Sequence, residues 1–230
     1  RQQALHLDQL RVDPLHVLRR AARRVLRVLL RDAQDLRELL EAEVKEGVPP
    51  RSNLQRQVQF TEVDTGHLKV DRLAERLNAS APDCGIIRQA RRWSEADALS
   101  GDVLIDGTDN FETRFALNRV AHASGRPLVS GAATRWSGQV SVFASGVETG
   151  QPCYQCFVPE APPMAEACED VGVVGPVTGI VASHMALETM KIITGAGRAL
   201  IGQVLILDGL SGVSRVVKLR QDTDCPVCSA

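Results

Sequence analysis

Four of the six cysteines form two pairs with the spacing of metal ligands, Cys153 with Cys156 and Cys225 with Cys228. A Cys-x-x-Cys turn directs two sulfurs at one point, and two such turns supply the thiolates of a tetrahedral zinc site. The 68 residues between the pairs exceed the spacing of a short zinc ribbon, so the zinc would join distant segments. Disulfides or a redox Cys-x-x-Cys motif are alternatives that fit a cytosolic chain and a repeated pair less well. Because no histidine stands beside the pairs, we expect a structural zinc.

The other two cysteines differ in their surroundings. Cys168 lies in a loop, where a lone thiol is a candidate nucleophile, but Glu166, Glu169 and Asp170 beside it disfavour the thiolate. Cys84 precedes an apolar segment and is interpreted as a packed core thiol. The five histidines form no recognisable cluster and are interpreted as structural.

A second polar motif, Asp106-Gly-Thr-Asp109-Asn110, follows an apolar run over residues 102–106. Ligands of open α/β sheets bind at the carboxyl ends of strands, where two carboxylates can hold Mg²⁺ beside a triphosphate. The alternative carries about equal weight: a polar strand-to-helix turn with Asp109 or Asn110 as helix N-cap.

The segment Ser52-Asn-Leu-Gln-Arg56 places two amides and a guanidinium within five residues. Arg56 can pair with a phosphate through two hydrogen bonds, and Lys69 follows on the next predicted helix. Taken alone, these residues favour a solvated loop and a surface lysine over a phosphate site.

The composition changes near residue 50. Residues 1–50 hold one glycine and the remaining 180 hold 17. The first segment carries apolar residues at helical spacing, which predicts one or two amphipathic helices. Its apolar stripe consists of Leu15, Leu18, Ala22, Val25, Leu29, Ala33, Leu36 and Leu40. We therefore predict a helical N-terminal segment over residues 1–50 and a second domain over residues 51–230.

After residue 50, strand and helix patterns alternate. Helices are predicted over residues 65–79, 111–124 and 177–193, and strands over 86–89, 102–106, 126–131, 136–143, 204–207 and 213–219. This order predicts an α/β fold: a Rossmann-like mixed sheet with helices on both faces and antiparallel strands near the C-terminus.

The bulk composition excludes several classes of protein. Hydrophobic residues make up 44% and charged residues 24%, as in ordinary globular domains. The net charge of −1 gives no reason to expect nucleic acid or an anionic membrane as partner. No apolar run approaches the roughly 20 residues that span a bilayer, and no secretion signal is present, so a cytoplasmic location is expected.

Together, these motifs resemble the ThiF/MoeB/HesA family of ubiquitin-activating-like adenylyltransferases. The resemblance runs from Ser52 to Cys228 through motifs in the same order. They are SNLQRQ at 52–57, GHLK at 66–69, DGTDN at 106–110, GQVSVF at 138–143, PCYQCF at 152–157, GVVGPVTGIVASHMALETMK at 172–191 and DCPVC at 224–228.

The resemblance implies ATP-dependent adenylation of the C-terminal glycine of a ubiquitin-like sulfur-carrier protein, as in molybdopterin or thiamine biosynthesis. It also implies a homodimer, a carrier ending in Gly-Gly and a separate sulfur donor. Cys153, Cys156, Cys225 and Cys228 would bind structural Zn²⁺, Asp109 would bind Mg²⁺, and Cys168 matches a cysteine that some members use to handle sulfur. The implied ATP contacts are Ser52, Asn53, Leu54, Gln55, Arg56, Lys69, Asp109 and Asn110.

The chain departs from the family in its first 50 residues. The family opens with a strand, a G-x-G-x-x-G turn, a helix and an acidic strand end, which seat the phosphates and the ribose. Residues 1–50 contain no such turn, so we expect a helix in place of the first βαβ unit, through a frame or start error or a rearranged gene. The alternative function is an inactive fragment that acts as a zinc-stabilised scaffold or binding module.

Overall fold

The computed structural model describes residues 49, 51–91, 93–97, 101–162 and 172–229. The predictions for residues 1–48 and for Cys168 lie outside these ranges. The described helices are α1 (Lys69–Ser80), α2 (Phe111–Ala123), α3 (Tyr154–Phe157) and α4 (Gly175–Thr194). The strands are β1 (Leu104–Asp106), β2 (Leu128–Thr134), β3 (Ser137–Phe143), β4 (Gln203–Asp208) and β5 (Val213–Lys218). Two short 3₁₀ turns, Arg51–Asn53 and Glu62–Asp64, precede α1.

The five strands form one mixed sheet in the order β1-β2-β3-β4-β5. Strand β1 runs parallel to β2, and every later neighbour is antiparallel. In the register, Leu104 lies opposite Leu128, and Leu128 lies opposite Phe143. Because side chains alternate along a strand, these three residues share one face of the sheet.

Helices cover both faces of the sheet. Helix α2 packs through Leu117 and Ala121 onto the face that carries Leu104 and Leu128. Helix α4 packs onto the opposite face, where a second core cluster of valines and a methionine is buried. That cluster contains Val103, Val129, Val140, Val142, Val177, Val181 and Met185. A Cβ at Gly138 would lie 2.4 Å from Val181 Cγ2, so α4 approaches the sheet closely at this glycine.

The ends of α2 and α4 follow from local chemistry. Asn110 caps α2, because its side-chain oxygen accepts from the backbone N–H of Thr113 at 2.8 Å. Helix α4 has Pro176 in its first turn and stops at Gly195, whose φ of 69° lies in the left-handed region that glycine tolerates.

The predicted α/β class, the mixed sheet with helices on both faces and the antiparallel C-terminal strands are confirmed. The strand predicted over residues 86–89 is wrong, because this segment has no ladder partner and Ile86 packs against Ala81 and Cys84. The short helix α3 was not predicted. No helix in the described part of the chain has the length and apolarity to cross a membrane.

Candidate functional site

The four paired cysteines meet in one cluster. Cys153 is the N-cap residue of α3, and Cys156 lies within this helix. Cys225 and Cys228 lie in the turn that follows β5. All four Sγ atoms lie within 4.8 Å of one another, with nearest pairs at 3.4, 3.5 and 3.9 Å. A tetrahedral ZnS₄ centre with Zn–S bonds of about 2.3 Å has S···S edges of about 3.8 Å. The sulfur arrangement therefore fits a zinc ion.

Polar groups surround the sulfurs as they surround metal-bound thiolates. Asn118 Nδ2 donates to Cys153 Sγ at 3.4 Å, and the backbone N–H of Asp222 donates to Cys156 Sγ at 3.4 Å. Gln221 Nε2 lies 3.7 Å from Cys228 Sγ. Such outer donors stabilise the charge on ligating sulfur and fix its orientation.

Burial disfavours free thiolates at the first cysteine pair, Cys153 and Cys156. It raises the pKa of Cys156 to about 11 and raises the pKa of Cys153 as well. These sulfurs become thiolates only when a cation offsets the cost of placing negative charge inside the protein.

A cleft of about 810 Å³ opens beside the carboxyl end of β1. Its walls come from residues 56–59, the loop after β1, the β2–β3 hairpin, α3 and α4. Charged groups at its wall include Arg56, Asp109 and Arg114, and apolar ones include Tyr154 and Met185. A cleft at this edge, with few polar groups on an apolar lining, has the form of a small-molecule site.

The loop after β1 gives its two carboxylates different roles. Asp106 is fully buried and accepts from Thr108 N at 2.9 Å, Thr108 Oγ1 at 2.7 Å and Ser130 Oγ at 2.9 Å. These bonds shape the loop, so the expectation that both carboxylates could hold Mg²⁺ is wrong for Asp106. Asp109 is exposed at the cleft wall and offers the hard oxygen that Mg²⁺ prefers. Asn110 is engaged as the α2 cap, as one of the sequence interpretations proposed.

Residues 51–57 hold Arg56 at the cleft. The guanidinium Nη2 donates to the side-chain oxygen of the buried Asn53 at 2.7 Å, and Nη1 donates to the carbonyl of Ser52 at 3.4 Å. Gln55 Nε2 donates to the carbonyl of Val173 at 3.3 Å, which fixes this turn beside the start of α4. Asn53 and Gln55 therefore orient the turn, and Leu54 is half-buried within it.

Lys69 lies at the first position of α1 and is 6% exposed. Lys69 is not one of the described residues that line the cleft. The structure thus brings Arg56 and Asp109 to one cleft and places Lys69 outside its wall.

Two cleft residues were missed from the sequence. Arg114 is buried at 7% exposure and donates to the carbonyls of Thr108 and, at 3.2 Å, of Gly131. Tyr154 is buried against Phe143 and Phe115, and this burial raises the pKa of its hydroxyl. A signal for Arg114 was available, since it falls on the same helical face as the apolar Leu117 and Ala121.

Comparison with known proteins gives three kinds of match. A profile of the ThiF family matches residues 50–227. The chain is 37% identical over 185 residues to the sulfur carrier protein adenylyltransferase of Thermus thermophilus, covering 77% of this chain and 68% of that protein. It is 39% identical over 186 residues to the adenylyltransferase and sulfurtransferase MOCS3 of Drosophila grimshawi. This match covers 78% of the chain but 41% of MOCS3, so the chain spans about two fifths of that relative.

Solved structures share the fold at low identity. The structure of Escherichia coli MccB with ATP has a TM-score of 0.68 and 16% identity, covering 80% of this chain and 57% of that chain. The structure of PaaA has a TM-score of 0.62 and 15% identity, covering 96% and 79% respectively. At these identities the likeness concerns the fold alone.

Proposed function

This chain belongs to the ThiF family, and we propose that it adenylates the C-terminal glycine of a ubiquitin-like sulfur-carrier protein with ATP. The observation that carries the proposal is the cleft at the end of β1, which presents the Arg56 guanidinium and the exposed Asp109 carboxylate. The names of the relatives from Thermus thermophilus and Drosophila grimshawi support the same reaction class.

In the proposed reaction, an oxygen of the carrier's C-terminal carboxylate forms a bond to the α-phosphorus of ATP. The bond from that phosphorus to the bridging oxygen breaks, and pyrophosphate leaves. The carboxylate is already ionised at pH 7, so the reaction needs no general base. The enzyme must instead align two anions and offset the charge that builds on the phosphate oxygens.

Arg56 is suited to that task because Asn53 and the Ser52 carbonyl hold its guanidinium in place before ATP binds. Asp109 would hold Mg²⁺, which supplies charge neutralisation to the phosphates. The contacts proposed for Ser52, Leu54, Gln55, Lys69 and Asn110 rest on the family resemblance. We propose that Asn53 acts through Arg56.

The apolar part of the cleft suits the carrier's tail. A Gly-Gly terminus has no side chains and could lie against Tyr154, Phe157 and Met185, which line the same cleft as Asp109. We further propose Zn²⁺ as a structural ion in the cysteine cluster, a homodimer, a separate sulfur donor and a cytoplasmic location. The division into residues 1–50 and 51–230 is part of the same proposal.

The test is exchange of labelled pyrophosphate into ATP, with a sulfur-carrier protein ending in Gly-Gly as the substrate. We expect exchange that vanishes with a carrier lacking its last two residues. Asp109→Asn should reduce exchange by roughly 100-fold, the scale of loss on removing one preorganised electrostatic group from an active site. Asp102→Asn is the matched control, since Asp102 is an exposed carboxylate outside the cleft wall.

The alternative function is a zinc-stabilised binding module without adenylation. One observation favours it: residues 1–50 hold one glycine, whereas a phosphate loop of this family needs several. Carrier binding without any exchange, in protein that retains zinc, would contradict the adenylation proposal and support this alternative.

A further inference from the structure

Arg114 is a buried cation in the cleft wall to which the proposed reaction assigns no role. It projects from α2 and is 7% exposed, so its N–H donors need acceptors inside the protein, since an unpaired buried charge is costly. Its Nη2 donates to the carbonyl of Thr108 and, at 3.2 Å, to the carbonyl of Gly131. Its Nη1 lies 3.8 Å from Asp106 Oδ2. One guanidinium therefore joins the loop after β1 to strand β2, and both residues that supply the carbonyls line the cleft.

The same guanidinium reaches a third wall of the cleft through Tyr154 of α3. Burial raises the pKa of the Tyr154 hydroxyl, and the positive charge of Arg114 and its hydrogen bond to this hydroxyl oppose the rise. Arg114 is thus engaged by the loop after β1, by β2 and by α3 in the protein without substrate. A planar guanidinium held on several sides fixes the relative positions of these walls.

Asp109 stands between two anchored residues of the loop after β1. On one side, Thr108 is held by Arg114 at its carbonyl, while Asp106 accepts from Thr108 N at 2.9 Å and from Thr108 Oγ1 at 2.7 Å. On the other side, Asn110 caps α2, and its carbonyl accepts from the backbone N–H of Arg114 at 3.3 Å. The Thr108 carbonyl belongs to the planar peptide unit that leads into Asp109. Arg114 therefore constrains the backbone on both sides of Asp109.

The carboxylate of Asp109 itself stays open to the cleft. It is exposed, and within the described ranges no residue donates a hydrogen bond to it or forms an ion pair with it. Arg114 lies in the same wall, but its Nη1 faces Asp106 instead. A carboxylate that is fixed in place yet unpaired keeps its oxygens for a hard cation.

We propose that Arg114 is the positioning residue for Asp109: by holding the Thr108 carbonyl against β2, it sets where the Asp109 carboxylate stands in the cleft. The inference rests on the proposed function, because the cation that Asp109 would hold is part of that proposal. In this role, Arg114 acts through Asp109 and not by contact with the phosphates.

The first measurement is amide hydrogen exchange of the substrate-free chain, followed by mass spectrometry. Arg114→Lys keeps a positive charge beside Asp106 but lacks the planar fork that reaches two carbonyls. Hydrogen exchange at residues 107–110 should become roughly tenfold faster, because the loop loses its tie to β2. Arg119→Lys is the matched control, since Arg119 lies on the same helix but is exposed and pairs with Glu95 at the surface. It should leave hydrogen exchange at residues 107–110 unchanged.

The second measurement is the Mg²⁺ concentration that gives half-maximal exchange of pyrophosphate into ATP. Arg114→Lys should raise this concentration roughly 10- to 100-fold, the usual cost of removing a group that orients a metal ligand. A residue that only stabilises the fold would not change it at a temperature where both proteins are folded. Hydrogen exchange at residues 138–143 of β3 reports on global folding and should be equal in the two proteins.

A double variant keeps the test decisive if Arg114→Lys folds poorly. Asp106→Asn with Arg114→Gln removes both partners of the buried pair, so no uncompensated charge remains inside the protein. The new amide still offers an oxygen to Thr108, but the guanidinium contacts are lost, so residues 107–110 should again show faster hydrogen exchange.

Unchanged hydrogen exchange at residues 107–110 in both variants would overturn the proposal, and so would faster hydrogen exchange with an unchanged Mg²⁺ requirement. Absence of pyrophosphate exchange in the wild-type chain at any Mg²⁺ concentration would instead contradict the proposed function. Hydrogen exchange alone would then decide whether Arg114 holds the loop that carries Asp109.

Discussion

At the scale of single residues, Asn118 connects the cysteine cluster to the cleft. Its Nδ2 donates to Cys153 Sγ, and its Oδ1 accepts from the backbone N–H of Tyr154 at 2.8 Å. Tyr154 lines the cleft, so one buried amide on α2 contacts both a cysteine of the cluster and a cleft wall.

Replacing this amide should affect both stability and metal binding. Asn118→Leu leaves the buried Tyr154 N–H without its acceptor, which costs about 1–3 kcal/mol of unfolding free energy. Loss of the donor to sulfur should weaken zinc affinity roughly 10- to 100-fold. Chemical denaturation and competition with a zinc chelator measure the two effects. Asn78→Leu, at an exposed position of α1, should change neither; an equal effect there would contradict the assignment.

Asp64 makes the stability of the fold depend on pH. Its Oδ2 accepts from Arg76 Nη2 at 2.6 Å and from Thr61 N at 2.7 Å. The hydrogen bond from Arg76, followed by that from Thr61, lowers the pKa of Asp64 from 3.8 to about 2. Because the folded pKa lies below the unfolded one, the carboxylate stabilises the fold above about pH 4, and this contribution is lost as pH falls towards 2.

Asp64→Asn should therefore lower the melting temperature at pH 7, and the gap from wild type should close between about pH 4 and 2. Thermal unfolding across this pH range is the measurement. Asp83→Asn removes an exposed carboxylate from the loop after α1 and serves as control. A gap that stays constant down to pH 2 would show that Asp64 contributes through packing and not through its charge.

At the scale of elements, the start of α4 sets the position of Arg56. The backbone of Gly175 touches the Gln55 carbonyl, and Thr178 lies beside the Arg56 carbonyl. Any side chain at position 175 must push the 51–57 turn away from the helix. The guanidinium at the cleft depends on this contact, although Gly175 is remote in sequence.

Gly175→Ala should lower stability by about 1–3 kcal/mol, as overpacking of a tight contact does. It should also reduce pyrophosphate exchange by displacing Arg56. Gly179→Ala is the matched control for stability one turn later, where a Cβ meets nothing within 4 Å. There the same substitution should be neutral or stabilise by about 0.5–1 kcal/mol, since alanine favours helices. Similar losses in both variants would mean that the Gln55 contact is not the cause of the loss.

The sequence predicted elements whose signal is local. A buried strand is visible in the sequence as an apolar run. Two Cys-x-x-Cys pairs likewise predict a shared metal site without knowledge of the rest of the fold. The strand prediction at 86–89 was wrong because a strand needs a partner strand, and residues 86–89 do not reveal whether one is present. Which carboxylate of the DGTDN motif faces the cleft was also undetermined, because Ser130 on another strand engages Asp106.

At the scale of the whole molecule, the cysteine cluster joins two distant segments of chain. Cys153 and Cys156 precede α4, whereas Cys225 and Cys228 follow the β4–β5 hairpin. The described fold contains α4, β4 and β5 between these two anchors. Strand β5 is exposed along its whole length, so few apolar contacts hold this edge of the sheet.

We expect one tightly bound zinc ion per chain. Cys156→Ala should abolish it and strongly lower the melting temperature, because structural zinc contributes on the order of 10 kcal/mol. Elemental analysis and thermal unfolding measure the outcome. Cys84→Ala, at a buried thiol outside the cluster, should retain zinc. Purified wild-type protein with four free thiols and no metal would refute the site.

Joining the two cysteine pairs through one ion should also change how fast the chain folds. Val140 of β3 pairs with Leu205 of β4. Because these residues are distant in sequence, an unfolded chain brings them together slowly. An ion that captures both cysteine pairs early would close the 68-residue loop between them, an entropy loss of about 4 kcal/mol. The strands would then meet as tethered neighbours, and refolding should run faster with zinc present at the start than with zinc added afterwards.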